Sequence, residues 1–335
     1  MYLKFIPKRF KDGRTKGISM MDDTPPQADE RDQRECNLAG ADFDKWLSMI
    51  DEMGEERGYF EPVGQRHSAI LTDDGPTLVV TFETAQSVRQ SKEARPLGWD
   101  LADENGWSNL CILAHEESWF RDPDLYGYFD RLVDDGFFED FDQVVFYGAG
   151  PSGYAACAYS VAAPGATVIA IAPQATLDMT RVAWDRRFPK MRRTDFTTRY
   201  GYAPDMVEGA KAVYLLHDPA NAEDAMHASL FQAEHIHHLT CRHMGDTLVE
   251  ELWSMAALPQ MIEAATEGQL SPHVARNILR NRRTHLPYLR RLLNRLQQTH
   301  RPRLVAALSR HVTERRGAPR FRKALTEANR LLEEA

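Results

Sequence analysis

Cysteine is scarce and scattered. Cys36, Cys111, Cys157 and Cys241 lie far apart without C-x-x-C spacing, which excludes a zinc ribbon and a disulfide-built scaffold. Long apolar runs are also missing: no stretch reaches the ~18 uninterrupted apolar residues of a spanning helix. The opening MYLKFIPKRFKDGRTKG has no signal-peptide apolar region. No membrane insertion is expected, and a reducing cytoplasm is the expected location. A positive balance is absent too. The net charge of −8 and pI near 5.9 offer no general attraction to nucleic acid or to an anionic membrane. What the chain does have is 335 residues at 43% hydrophobic content, enough to bury a full-sized core.

Residues 1 to 40 are basic and then acidic, carry Pro25-Pro26 and show no apolar period; a disordered leader is expected there, with Met20 and Met21 as alternative starts. From Asp42, an N-cap residue, the spacing of Phe43, Trp46, Leu47, Ile50 and Met53 predicts an amphipathic helix. Apolar runs at 67–71 and 77–82, joined by Asp73-Asp74-Gly75-Pro76, predict a hairpin. A short helix near 99–105 and a strand over 109–114 follow. Asp122-Pro123 then opens a helix whose buried stripe is expected to be Tyr126, Phe129, Leu132 and Val133.

The chain is organised around residues 143 to 174, QVVFYGAGPSGYAACAYSVAAPGATVIAIAPQ. A β-branched strand, a glycine turn, an alanine-rich helix, a Pro-Gly break and a second apolar strand describe a βαβ crossover in a buried parallel sheet. Two motifs compete for the turn. Gly148, Gly150 and Gly153 satisfy G-x-G-x-x-G between strand and helix, the context of a dinucleotide site. That site needs an acidic residue about 20 positions on, where this chain has Ala172, Pro173 and Gln174. The other motif is the nucleophile elbow G-x-S-x-G, a strained strand-to-helix turn. In that register Gly150 stands at the nucleophile position and Ser152 replaces the last glycine. Making Ser152 the nucleophile shifts the register and puts Tyr154 where a small residue belongs. In the register with Gly150 at the nucleophile position, the next residue, whose N–H serves the oxyanion hole, is Pro151, which has none.

Residues 175 to 206 are rich in arginine and aromatics, an excursion expected over the C-terminal strand ends and suited to an anionic ligand. Strands over 211–216 and 235–241 follow, the first ending in His217-Asp218-Pro219. His235, His237, His238, Cys241 and His243 are dense in ligand-type side chains but lack the spacing of a structural zinc site, so no metal is expected. From 258 onward the pattern is helical, with an apolar stripe of Leu286, Leu289, Leu292, Leu293 and Leu296 and arginines concentrated between Arg276 and Arg322. This asymmetry suits an acidic partner, RNA or a membrane surface. No aromatic interleaving accompanies it, so no nucleic acid is expected.

Strand, elbow, helix and strand, then a strand with a terminal Asp, then a strand with a terminal turn: residues 67 to 257 resemble the α/β-hydrolase superfamily in this order. The resemblance implies a mostly parallel, doubly wound α/β sheet with an all-helical C-terminal appendage, divided into a core at 41–257 and a helical region at 258–335. It puts Gly150 at the nucleophile position and Asp218 at the acid position, with His243 as histidine if the terminal turn is offset. With the elbow's nucleophile missing, the expected function is a catalytically degenerate hydrolase-fold protein. It would bind a small, anionic ligand or a protein partner through Gly148, Gly150, Gly153, Gln174, Arg187 and Arg193, without a cofactor. Two alternatives stay open. One is a divergent serine esterase, thioesterase or amidase using Ser152 with Asp218 and with His243 or His227, where Asp224 is a further candidate acid. The other is an FAD- or NAD-binding oxidoreductase using GAGPSG.

Overall fold

The computed structural model describes residue 38 and residues 40 to 334. The leader expected at 1–40 lies outside the described residues except at Leu38, which is buried beside Trp46 and Ile50, and Gly40. Eight strands form one sheet: β1 (Gly58–Val63), β2 (His67–Thr72), β3 (Thr77–Thr84), β4 (Ser108–Ala114), β5 (Gln143–Ala149), β6 (Thr167–Ile171), β7 (Ala212–His217) and β8 (Ile236–Thr240). Their order is β1-β2-β4-β3-β5-β6-β7-β8. β2 runs antiparallel to both β1 and β4, and β3 to β8 are parallel. This order, with helical crossovers on both faces, is the α/β-hydrolase fold.

Side chains alternate across each strand, so the sheet buries two different faces. Phe146, Val168, Ala170, Val213 and Leu215 point to the side covered by the helices Pro123–Asp134 and Pro151–Tyr159. Val145, Tyr147, Ile169, Ile171, Tyr214 and Leu216 point to the other, covered by the helices Leu248–Ser254 and Ala257–Thr266 and, outside them, by those of the C-terminal region. The helix Phe43–Glu55 caps the same side at the β2–β4 end, with Trp46 and Ile50 against Ile70, Cys111 and Leu113. The Leu286 to Leu296 stripe packs inward as expected, with Leu289 and Leu293 buried.

Two expectations are corrected and one strand is added. The hairpin does not form: β4 lies between β2 and β3, so the Asp73 to Pro76 turn connects strands that do not pair. β1, which the apolar pattern did not disclose, is a half-exposed edge strand containing Glu61 and Pro62. In the helix Pro123–Asp134 the buried stripe is Leu125, Tyr128, Phe129 and Leu132, whereas Val133 is 49% exposed. Among the described residues no helix is long and apolar enough to cross a membrane.

His67, fully buried at the start of β2, shares a 2.7 Å hydrogen bond between Nε2 and Ser118 Oγ. Burial first, then the charges of Arg66 and His115, lower its pKa to about 4 against the opposing pull of Asp122 and Glu116. An unfolded histidine takes its proton near 6.5, so this site gives stability that is complete above ~6.5 and lost as pH falls toward 4. Urea unfolding followed from pH 7 to 4 is expected to weaken by on the order of 2–3 kcal/mol from this residue. His67→Gln should be less stable at pH 7 but show a flatter pH dependence. An equal slope in both proteins would rule out His67 as its source.

Candidate active site

β5 ends at Ala149 and the helix Pro151–Tyr159 starts two residues later, so the chain reverses at Gly150 alone. Gly150 adopts φ 56° and ψ −124°, a left-handed conformation that side chains avoid. Its N–H donates to the Ile171 carbonyl at 2.8 Å, tying the turn to β6, and its carbonyl accepts from Tyr154 N–H at 2.9 Å, opening the helix. The strand therefore passes directly into the helix through one positive-φ residue, a conformation that glycine alone adopts readily. A Cβ added to Gly150 would meet no atom within 4 Å, so the missing side chain is not excluded by its surroundings. Gly148 and Gly153 are the close-packed glycines: a Cβ on Gly148 would stand 2.1 Å from the Ser152 carbonyl oxygen, and one on Gly153 3.2 Å from the Gly148 carbonyl and 3.3 Å from that of Ile171.

Ser152 sits half-buried in the first turn of the helix, with no hydrogen bond to His243 or Asp218 among the described residues. Asp218, just past β7 and buried, is committed elsewhere. Its Oδ2 accepts from the N–H groups of Met244 (2.9 Å) and Gly245 (2.8 Å), and its Oδ1 from Ala220 N–H (2.9 Å). The acid that resembles a triad member therefore holds the shape of the loop after β8. On that loop His243 is left-handed at φ 68°, and its buried Nδ1 has no partner. Its pKa is lowered by burial first and then by Arg295 and Arg242, with Asp218 opposing.

The other candidates form a separate network beneath the arginine-rich excursion. His227 is fully buried; its Nδ1 accepts from Ala175 N–H at 3.1 Å, which leaves Nε2 as the donor to Asp185 Oδ2 at 2.9 Å. Both ring nitrogens are thus used, and neither is left to take a proton from Ser152. Asp185 also accepts from the Arg187 backbone (2.9 Å) and guanidinium (2.8 Å at Nη2), while Arg187 Nη1 reaches Asp224 Oδ1 at 2.6 Å. Burial alone would raise the Asp185 pKa, but the Arg187 and His227 hydrogen bonds outweigh it and hold it at about 2. Arg187 and Asp224 are mutually neutralised, so the arginine read as a ligand contact is a strut between the excursion and the helix Ala222–Ser229. Arg193 is exposed.

Asp185, which organises this network, escaped sequence reasoning. The available signal was its place two residues before Arg187, where an aspartate accepts its neighbour's N–H. Trp119 and His217 were also missed. Together with Gln174 and His243 they give a set of buried polar atoms without partners among the described residues: Trp119 Nε1, Gln174 Oε1, His217 Nδ1 and His243 Nδ1. These four lie on the loops after β4, β6 and β8 and at the end of β7, all at the C-terminal edge of the parallel strands. Ala172, whose carbonyl accepts from Gln174 Nε2 at 3.2 Å, is left-handed too, at φ 45°. His217, like His243, has its pKa lowered by burial first, and next by His238.

A cavity of about 450 Å³ lies at the opposite edge of the sheet, between Leu132, Phe138, Phe141, Val144, Ala163 and Lys211, and holds none of these residues. Among the described residues no cluster of His, Cys, Asp or Glu can hold a metal ion; His235 and His238 hydrogen-bond the carbonyls of Val207 and Phe231.

No family model and no curated protein matches the chain. Similar solved structures include an esterase from Pyrobaculum calidifontis, with a TM-score of 0.42 at 13% identity, covering 74% of this chain and 100% of that one. A capsule O-acetyltransferase of Neisseria meningitidis serogroup A has a TM-score of 0.41 at 11% identity over 58% of this chain and 91% of that one. A putative thioesterase from Silicibacter has 0.40 at 14% identity over 64% and 86%.

Proposed function

We propose that this protein is a catalytically degenerate α/β-hydrolase-fold protein whose crest, above the Gly148 to Ser152 turn, binds a small anionic ligand. The observation that carries the reading is Gly150: it has the elbow's strained backbone and no side chain to attack with. A left-handed conformation in a residue that carries a side chain is retained where function uses it, and here Trp119, Ala172 and His243 adopt one after the ends of β4, β6 and β8. The unpartnered atoms of Trp119, Gln174, His217 and His243 supply polar contacts at the same edge. Arg242 and Arg295 act electrostatically on His243 and favour a negative ligand group.

Two measurements test this. A fluorophosphonate probe is expected to leave both the wild type and Ser152→Ala unlabelled. Labelling of the wild type that disappears in the variant would overturn the reading in favour of a serine hydrolase using Ser152. Histidine ring NMR signals titrated with acetate and with inorganic phosphate are expected to shift at His217 and His243 and to stay fixed at His227, whose nitrogens are both engaged. No shift at His217 or His243 with either anion would remove the anionic ligand.

A further inference from the structure

The chain's charge is divided by region. From Pro272 to Ala335 fifteen arginines and one lysine face four acidic residues, leaving 25 of the 41 basic and 45 of the 49 acidic residues to the rest. The last two helices, Pro302–Thr313 and Pro319–Glu333, pack on each other and on the helix Leu286–Gln298 as an outer hairpin. Their inward faces are filled by Val305, Ala306, Val312, Phe321, Ala324 and Ala328. Outward, Arg303, Arg310, Arg316 and Arg322 are exposed and form no ion pair among the described residues; the arginine pairs of this region are Arg291 with Glu251 and Arg330 with Glu327 and Glu334.

We infer that this hairpin is a docking surface for an acidic, leucine-bearing segment of another protein. The charge complements such a segment, and the surface is not charge alone. Arg303, Ala307 and Arg310 share one exposed helix face, four and seven residues apart, and Leu304, 48% exposed and three residues before Ala307, lies at its edge. An apolar anchor beside arginines is the composition of a protein interface, where arginine forks bind carboxylates and the anchor fills a pocket. Single-stranded nucleic acid fits less well because it needs aromatic platforms. The region's two aromatics, Tyr288 and Phe321, are both buried. A membrane surface fits less well because the apolar faces of these helices are spent on the fold rather than offered to lipid.

The test uses the full chain and three probes: a synthetic amphipathic peptide of glutamate and leucine, poly(U) RNA, and phosphatidylserine vesicles. The peptide is expected to bind at low salt and to weaken about tenfold when Arg303→Glu and Arg310→Glu are combined. Leu304→Ala should weaken the peptide severalfold while leaving the binding of leucine-free polyglutamate unchanged. Arg303→Gln with Arg310→Gln, checked by thermal unfolding, separates loss of charge from misfolding. Tighter binding of poly(U) or of vesicles than of the peptide would overturn the inference, as would peptide affinity that ignores these substitutions.

Discussion

Asp218→Ala is expected to lower the stability of the fold by about 3–5 kcal/mol, a loss of roughly 4–7 °C in Tm at this chain length. The carboxylate is buried, and its two oxygens take three backbone N–H groups, from Ala220, Met244 and Gly245. Removing it strands those donors, and each buried donor left unpaired costs about 1–3 kcal/mol. Two of them belong to the loop that carries His243 in its left-handed conformation, so the histidine should lose its position as well. Asp218→Asn keeps the shape but places an amide where acceptors are needed; whichever way the amide turns, at least one N–H loses its partner. It should fall between wild type and alanine. A triad acid with no structural task would behave otherwise, with stability intact and only turnover changed. Asp218→Ala melting within about 1 °C of wild type, less than ~1 kcal/mol at this chain length, would refute a structural role for the carboxylate.

The same residue shows where the sequence stops being informative. Strand and helix periods, the glycine turn between β5 and its helix, and the Asp122-Pro123 helix start are local features, and each was legible because a few neighbouring residues determine it. The partners of Asp218 lie 26 and 27 residues further on, and nothing near position 218 announces them. Arg187 read as a free cation for the same reason: Asp185 is adjacent, but Asp224 is 37 residues away. The lost hairpin belongs to the same class. A turn sequence specifies that the chain reverses, not that no other strand enters between the two arms, and β4 arrives there from 24 residues beyond the end of β3. β1 was hidden differently. An edge strand half-exposed along its length has no clean alternation to read.

Gly148→Ala is expected to be the most damaging single methyl group that the turn after β5 can receive, at about 3–5 kcal/mol or as a failure to accumulate folded protein. Gly148 lies under the first turn of the helix. A Cβ there would stand 2.1 Å from the Ser152 carbonyl oxygen, 2.4 Å from its carbon and 2.8 Å from Gly153 N. All three are backbone atoms, so no rotamer change can make room. Either the helix lifts from β5 or the turn that holds it opens, and both expose the Tyr154 to Tyr159 face of the core. Gly150→Ala, two residues on, imposes the opposite kind of demand. Its Cβ meets nothing, but its φ of 56° is one that a side chain resists, so the cost is backbone strain of about 1–3 kcal/mol. Urea midpoints of the two variants should therefore rank Gly148→Ala below Gly150→Ala. The reverse order would mean that conformational freedom at the turn, rather than the close approach of helix to strand, is what these glycines supply. The turn then imposes two separable requirements: a steric one at Gly148, where helix and strand nearly touch, and a conformational one at Gly150, where the chain reverses at a positive φ that glycine adopts without a side chain to oppose it.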